Sequence, residues 1–258
     1  MFQKLGVQLY TVRDYLKDPE FADLTFRKLA DLGYREVQTA GNEESLAELI
    51  SKNGLQIVGT HYSLQKILNE PERTMELHRA WGTSNIGIGS MPVGARNDLN
   101  ECKKFIHDFN TAAEKYAKYG FKLTYHHHNF EFIRIDRYKT LMDLLYEELD
   151  STTTSFVLDT CWIAAGGGDV TDWMEKLAGR IDILHLKDLK LVSNKNSTLE
   201  PTMTEVGYGN LAWDKIMITA EKIGVKHYIV EQDQNFTKNP FESLGMSMNF
   251  LKKFQKKT

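Results

Sequence analysis

"KYGFKLTYHHHNFEF" (118–132) closes a helix and opens a strand at a single glycine. A helical apolar pattern over 98–119 runs up to Gly120. Glycine there suits the left-handed residue that ends many helices. FKLTYHHH (121–128) then alternates as a strand. The same join recurs as DLGYREV (31–37), KNGLQIV (52–58) and KIGVKHYIV (222–230), with Gly33 and Gly54 as stops. Working outward, the strands are KLGVQLY (4–10), REVQ (35–38), LQIVGTH (55–61), SNIGIG (84–89), 121–128, SFVLD (155–159), IDILHLKD (181–188) and KHYIVEQD (226–233). Helical patterns lie near 19–32, over EESLAELISKN (43–53), and at 67–81, 98–119, 138–148, 169–178, 211–223 and 240–255. Strands alternating with helices imply right-handed βαβ units and a parallel sheet, and eight such units close most naturally into a barrel. The fold class is therefore α/β, a (β/α)8 TIM barrel, with 1–258 as a single domain. An open doubly wound sheet would need a glycine-rich turn after the first strand, and LYTVRDY (9–15) has no glycine. The stretch 190–208 reads as a long polar loop, where barrel enzymes place substrate-covering segments.

With 41% hydrophobic and 11% aromatic residues, the 258-residue chain can bury a sizeable core. A net charge of -3 and a pI near 6.3 argue against a general binder of nucleic acid or membrane surface. No run of about 20 apolar residues predicts a membrane span. The basic tail LKKFQKKT (251–258) reads as a solvated last helical turn. Cys102 and Cys161 lie in unrelated contexts, so no disulfide framework is expected. MFQKLGVQLY (1–10) has no secretory pattern, which fits a cytoplasmic location, although a signal peptide already removed leaves the same start.

Barrel sites are built at the carboxyl ends of the strands, and strand side chains alternate faces. In 121–128, Phe121, Leu123, Tyr125 and His127 should pack under helices, while Lys122, Thr124, His126 and His128 should point into the mouth. Asp159 ends its strand with Phe156 and Leu158 outward; His185 ends the next with Leu184 and Leu186 outward; Glu231 ends YIVE. Gln8, Tyr10, Gln38 and His61 end the first three strands. Singly, each has an ordinary explanation: a strand-end aspartate caps the next helix, and a lone histidine is usually a hydrogen-bonded core residue. Together, His126, Asp159, His185 and Glu231 bring imidazole and carboxylate to one end of strands five to eight. Isolated carboxylates are costly to bury unless paired or metal-bound. This donor set suits one divalent ion, Mn, Zn, Co or Fe rather than Mg.

At these residues the chain resembles the sugar isomerase/epimerase superfamily of xylose-isomerase-like TIM barrels, which also contains abasic-site endonucleases. The resemblance is carried over the whole length by VQLYTVRD, YHHHNFEF, VLDTCWI, ILHLKD, EVGYGNLAW and YIVEQD. It implies one divalent ion held by Glu, Asp, His and Glu from strands five to eight. Asp159, His185 and Glu231 match; the first Glu falls on His126, a departure. In such epimerases the two glutamates are the paired acid/base groups of an enediolate mechanism, and here Glu231 alone remains. His126 takes the ligand's place or acts as the second acid/base group, and Glu131 is another possible carboxylate. By the same resemblance Trp162 lines the sugar pocket. Lys187 shares the parity of His185 and should reach the mouth, unless it forms an exposed salt bridge.

The expected activity is metal-dependent isomerisation or epimerisation of a sugar or keto-sugar, with Glu231, His128, Lys187 and Glu131 as candidate catalytic groups and Gln8, Tyr10, His61 and Trp162 contacting substrate. The alternative is elimination by the same site, as a keto-sugar dehydratase or 3-keto-glycoside lyase; the loss of one glutamate weakens the symmetric two-base epimerase reading and leaves elimination open. An endonuclease would need a three-metal cluster and a basic face. A sugar-binding barrel without activity would retain the fold. The expected partner is a small sugar, with no nucleic acid or membrane, and the family habit of association is consistent with a homo-oligomer.

Overall fold

The computed structural model describes residues 3–41, 43–193, 196 and 198–255. Its strands are Gly6–Gln8 (β1), Glu36–Thr39 (β2), Gln56–His61 (β3), Asn85–Ile88 (β4), Lys122–His126 (β5), Thr154–Asp159 (β6), Ile181–Leu186 (β7), Asp188–Ser193 (β8), Leu199–Thr204 (β9) and His227–Val230 (β10). Eight of them close a parallel barrel in the order β1-β10-β7-β6-β5-β4-β3-β2. The helices are Pro19–Leu32 (α1), Glu43–Lys52 (α2), Leu64–Asn69 (α3), Pro71–Ala80 (α4), Val93–Asn97 (α5), Leu99–Ala117 (α6), Leu141–Glu148 (α7), Thr160–Ala165 (α8), Val170–Lys176 (α9), Trp213–Ile223 (α10) and Pro240–Leu251 (α11). The chain is thus a single (β/α)8 barrel, as the alternation implies. Gly120 has φ +81°, and Gly33, Gly54 and Gly224 take the same left-handed form at their joins. Helix starts are equally local in origin: the Asp18 carboxylate accepts from the N–H groups of Glu20 and Phe21, with Pro19 in the first turn.

The main core lies between the barrel and its helices, where Leu123, Tyr125, Phe156, Leu158, Leu184 and Leu186 face outward. Inside the barrel is a smaller layer of Val58, Val157, Ile183 and Ile229. Val157, Ile183 and Ile229 each lie two residues before Asp159, His185 and Glu231. Period-two alternation therefore lifts those polar side chains onto the top of an apolar floor. Lys122 has the inward parity but does not reach the mouth. It is bonded to Asp182 (3.3 Å), which also meets Lys226 (2.7 Å), at the amino end of the strands. The four steps from Lys122 to His126 span about 13 Å at about 3.3 Å per residue, so parity fixes the face but not the end.

The stretch 190–208 is not a plain loop. β8 and β9 form an antiparallel ribbon from Asp188↔Thr204 to Ser193↔Leu199, with residues 194, 195 and 197 of its tip outside the described residues. β9 (LEPTMT) lacks apolar alternation and contains Pro201, so the sequence of this stretch does not read as a pair of strands. In a two-stranded ribbon each strand has an open edge, where proline is tolerated. The pattern 67–81 is two helices, because Pro71 has no N–H to continue the first and begins the second. α11 ends at Leu251 and a 3-10 turn, Lys252–Phe254, follows, while the last three residues of the basic tail lie outside the described residues. Among the described residues no helix is long and apolar enough to cross a membrane.

The root of the ribbon is fixed by one side chain. The Asp188 carboxylate accepts from the N–H groups of Leu189 (2.8 Å), Gly207 (2.9 Å) and Gly209 (3.1 Å), and from Trp213 Nε1 (2.6 Å). A Cβ on Gly209 would lie 2.3 Å from both Asp188 Oδ1 and the Leu189 carbonyl. Gly209→Ala is therefore expected to cost about 1–3 kcal/mol by overpacking. Gly94→Ala, with open space around the added methyl, should be neutral or slightly stabilising. Denaturant unfolding of the two variants checks this, and equal stabilities would contradict it.

Candidate metal centre and active site

His126, Asp159, His185 and Glu231 are buried side by side at the carboxyl ends of β5, β6, β7 and β10, and one ligating atom from each lies within 4.8 Å of the others. Asp159 and His185 are register partners across β6 and β7. His126, His185 and Asp159 are each anchored by an atom other than the one facing the cluster. His126 Nδ1 donates to the Gly89 carbonyl (3.0 Å), leaving Nε2 toward Asp159 Oδ2 at 3.6 Å. His185 Nε2 donates to Gln38 Oε1, which also accepts from Gln8 Nε2 (3.0 Å). Its Nδ1 faces Glu231 Oε2 at 3.0 Å and Asp159 Oδ2 at 3.6 Å. Asp159 Oδ1 caps α8 by accepting from the Trp162 N–H (2.9 Å), and Oδ2 is left for the cluster. The capping explanation and the ligand explanation thus apply to different oxygens of one carboxylate.

His126 Nε2, Asp159 Oδ2 and His185 Nδ1 are buried and have no hydrogen-bond partner among the described residues. An unsatisfied buried polar group costs about 1–3 kcal/mol, and native interiors rarely hold three together without a use for them. Three such atoms converging with Glu231, two from imidazole and two from carboxylate, fit a divalent cation. Oxygens that can only accept hold the other ring nitrogens as donors, so each ring, when neutral, presents its unprotonated nitrogen inward.

The three consecutive histidines separate as parity implies. His126 joins the cluster. His127 is turned behind it: Nε2 accepts from the Asp159 N–H (3.0 Å) and Nδ1 donates to the His128 carbonyl (3.1 Å). His128 lines the mouth, between the rings of Phe130 (5.7 Å) and Trp162 (5.5 Å). A pocket of about 310 Å³ opens over the cluster, with Tyr10, His61, His128, Lys187 and Glu231 in its walls. Gln8 lies beneath it, bonded to Gln38 and to His61 Nδ1 (3.4 Å). Lys187 is 1% exposed and sits 4.7 Å above the Trp162 ring. It pairs with Glu231 (3.1 Å), Asp233 (2.7 Å) and Asp159 (3.7 Å), not with Asp188. Glu131 is not brought into the cluster. Its carboxylate takes the Tyr125 hydroxyl (2.6 Å) and the His128 N–H (2.8 Å), and burial, only partly offset by those bonds, raises it to about 7.

Burial works against charge on Asp159 and Glu231, but Lys187 and the neighbouring histidines hold both well below the usual carboxylate range. Burial, reinforced by His126, pushes His128 down to about 2 and His61 well below its usual value, so both are neutral imidazoles. Asp233 and Arg96 also line the pocket and escaped the sequence reading. Asp233 has the parity of Glu231, two residues on, and closes the run KHYIVEQD (226–233) read as the eighth strand. Arg96 comes from α5, donates to Ser90 Oγ (2.9 Å) and lies 4.5 Å from the Phe130 ring centre. No strand-end signal marks it. The Gly89 contact uses a backbone carbonyl, which no residue type announces.

A sequence profile described as xylose isomerase-like TIM barrel matches residues 26–254. An inosose dehydratase of Lactiplantibacillus plantarum (strain ATCC BAA-793 / NCIMB 8826 / WCFS1) is 25% identical over 246 residues, covering 86% of this chain and 78% of that protein. Among solved structures, a sugar phosphate isomerase/epimerase from Parabacteroides distasonis ATCC 8503 superposes with a TM-score of 0.79 at 23% identity, over 98% of this chain and 96% of that one. A probable 3-DHS dehydratase from Bacillus anthracis superposes with a TM-score of 0.71 at 15% identity, over 97% and 99%.

In the metal-free protein burial disfavours the His185 imidazolium, but Glu231 and Asp159 outweigh it and raise the group from 6.5 to about 9. A proton then occupies Nδ1 at neutral pH and competes with a cation. Uptake of Mn or Zn near pH 7 is expected to release about one proton per ion, fading to none above about pH 9, with affinity rising over the same span. Calorimetry in buffers of different ionisation heat reads this, and release independent of pH would contradict it. Gln38→Leu, which removes the acceptor behind His185, should weaken metal binding by about 10–100-fold.

Proposed function

The chain belongs to the xylose isomerase-like TIM barrel family, and from that premise we propose that it removes the proton beside the carbonyl of a keto-sugar or keto-polyol and then expels the substituent on the next carbon. The observation that carries this reading is the pairing of Glu231 with the buried Lys187 ammonium at 3.1 Å, in a pocket where strand five contributes His126 instead of a second glutamate. His126, Asp159, His185 and Glu231 would hold a divalent cation, which would supply Lewis-acid polarisation of the substrate carbonyl.

Glu231 is the general base. It takes the proton as the C–H bond breaks, and the electron pair moves into the enediolate. When the C–O bond at the adjacent carbon breaks, the same carboxyl returns its proton to the departing oxygen on that face, so one acid/base group is enough. Lys187, held by Asp233, keeps Glu231 ionised before the reaction and adds positive charge beside the developing enediolate. His61 and His128, neutral and at the pocket wall, contact substrate oxygens. Tyr10 and Trp162 border the sugar. Epimerisation at one carbon needs groups on both faces, which the exchange at His126 disfavours. The dehydratase relative supports elimination. One-base return of the proton to the neighbouring carbon, an isomerisation, is the second reading, supported by the isomerase/epimerase structural neighbour. Among the described residues, one group of ligating side chains is present, which suits a single ion better than a nuclease's three.

Incubation of Mn-loaded protein in deuterated water with inosose, 3-keto-glucosides and free ketoses is expected to yield the unsaturated or aglycone-free product. Glu231→Gln should lower the rate by about 10²–10⁴-fold. An isomeric ketose or aldose as sole product replaces elimination by isomerisation, and exchange with none of these ketones overturns the reading.

A further inference from the structure

Besides the three cluster atoms, the buried polar atoms that lack a partner among the described residues include Trp162 Nε1, Asp233 Oδ1, His61 Nε2 and His128 Nδ1. Asp233 is the acid among them. Its Oδ2 is taken by Lys187 at 2.7 Å, and its backbone carbonyl accepts from Arg13 Nη2 at 3.1 Å, so the residue is held from two sides. That leaves Oδ1 as an acceptor without a donor in a residue that lines the pocket. The Trp162 indole N–H is a donor without an acceptor, and its ring lies under the same ammonium. A hydroxyl can both donate and accept. A substrate carboxylate or phosphate brings acceptors only and would meet Asp233 as a like charge.

We propose that Asp233 is a specificity-determining residue whose Oδ1 accepts a hydrogen bond from a substrate hydroxyl, so that the site takes an uncharged polyhydroxylated ketone and rejects an anionic group at that position. This deepens the keto-sugar reading above and rests on it. A site that hydrogen-bonds a hydroxyl discriminates strongly against the analogue lacking it, because the buried oxygen is then left unpaired. If Asp233 served Lys187 alone, its loss would weaken every ligand alike.

Equilibrium binding to the Mn-loaded protein tests this without turnover, using myo-inositol, its monodeoxy analogues and its monophosphates as probes. Wild type should bind one deoxy analogue roughly 10–100-fold more weakly than myo-inositol and reject the phosphate at the same carbon. Asp233→Ala should erase that preference by weakening myo-inositol and the analogues that keep that hydroxyl, while leaving the penalised analogue unchanged. Asp233→Asn, which keeps an acceptor without the charge, should preserve the hydroxyl preference and relax the rejection of phosphate. Equal weakening of all probes by Asp233→Ala, no penalised deoxy analogue in wild type, or no binding of any cyclic polyol overturns the proposal. Proton exchange with inosose, followed in parallel, separates the two ideas. A hydroxyl preference without exchange removes the catalytic reading and leaves the proposal, while exchange with uniform losses removes the proposal alone.

Discussion

Lys187 carries a buried ammonium on which the electrostatics of the mouth depend. Three carboxylates, Asp159, Glu231 and Asp233, lie within 3.7 Å of its Nζ, and the residue is 1% exposed. Three acids this close in a protein interior would otherwise repel one another and take up protons. The ammonium holds Asp159 and Glu231 ionised, the state in which they can bind a cation or take a proton. Its own backbone is pinned: the Lys187 N–H donates to Thr160 Oγ1 (3.0 Å), and that hydroxyl donates back to the Lys187 carbonyl (2.7 Å). Thr160 follows Asp159 directly, so the ligand and the cation that keeps it charged share one local framework.

Around that ion cluster the protein uses each polar side chain twice. Asp159 caps a helix with one oxygen and faces the cluster with the other. His126 and His185 each give one nitrogen to an acceptor outside the cluster. Gln38 holds His185, Gln8 holds Gln38, and Gln8 also meets His61. Rings anchored at one nitrogen present the other in a fixed direction. The apolar layer of Val157, Ile183 and Ile229 supports the arrangement from below and closes the barrel to water on that side.

The sequence made the barrel and the four convergent side chains legible because both follow from short-range rules. Glycine stops mark the helix ends, and a period of two assigns the faces of His126, His127 and His128. What it could not convey came from geometry across the chain. Lys122 obeys the same parity as His126 yet serves the opposite end of the barrel. Glu131 looks like a free carboxylate in NFEF, but its oxygens are taken by Tyr125 and by a backbone N–H. Arg96 arrives from a short helix after β4, and β9, with the sequence LEPTMT, lacks the apolar alternation that announces a strand.

Asp188 gives the ribbon an unusual independence. Its carboxylate ties both ends of the excursion to one point, immediately after Lys187 in the chain. The root is thus fixed by Asp188 itself and does not depend on the reach or composition of the tip. The barrel can lengthen, shorten or re-dress that projection, as lineages or protein engineers do with surface loops, while the charge balance of the mouth stays as it is.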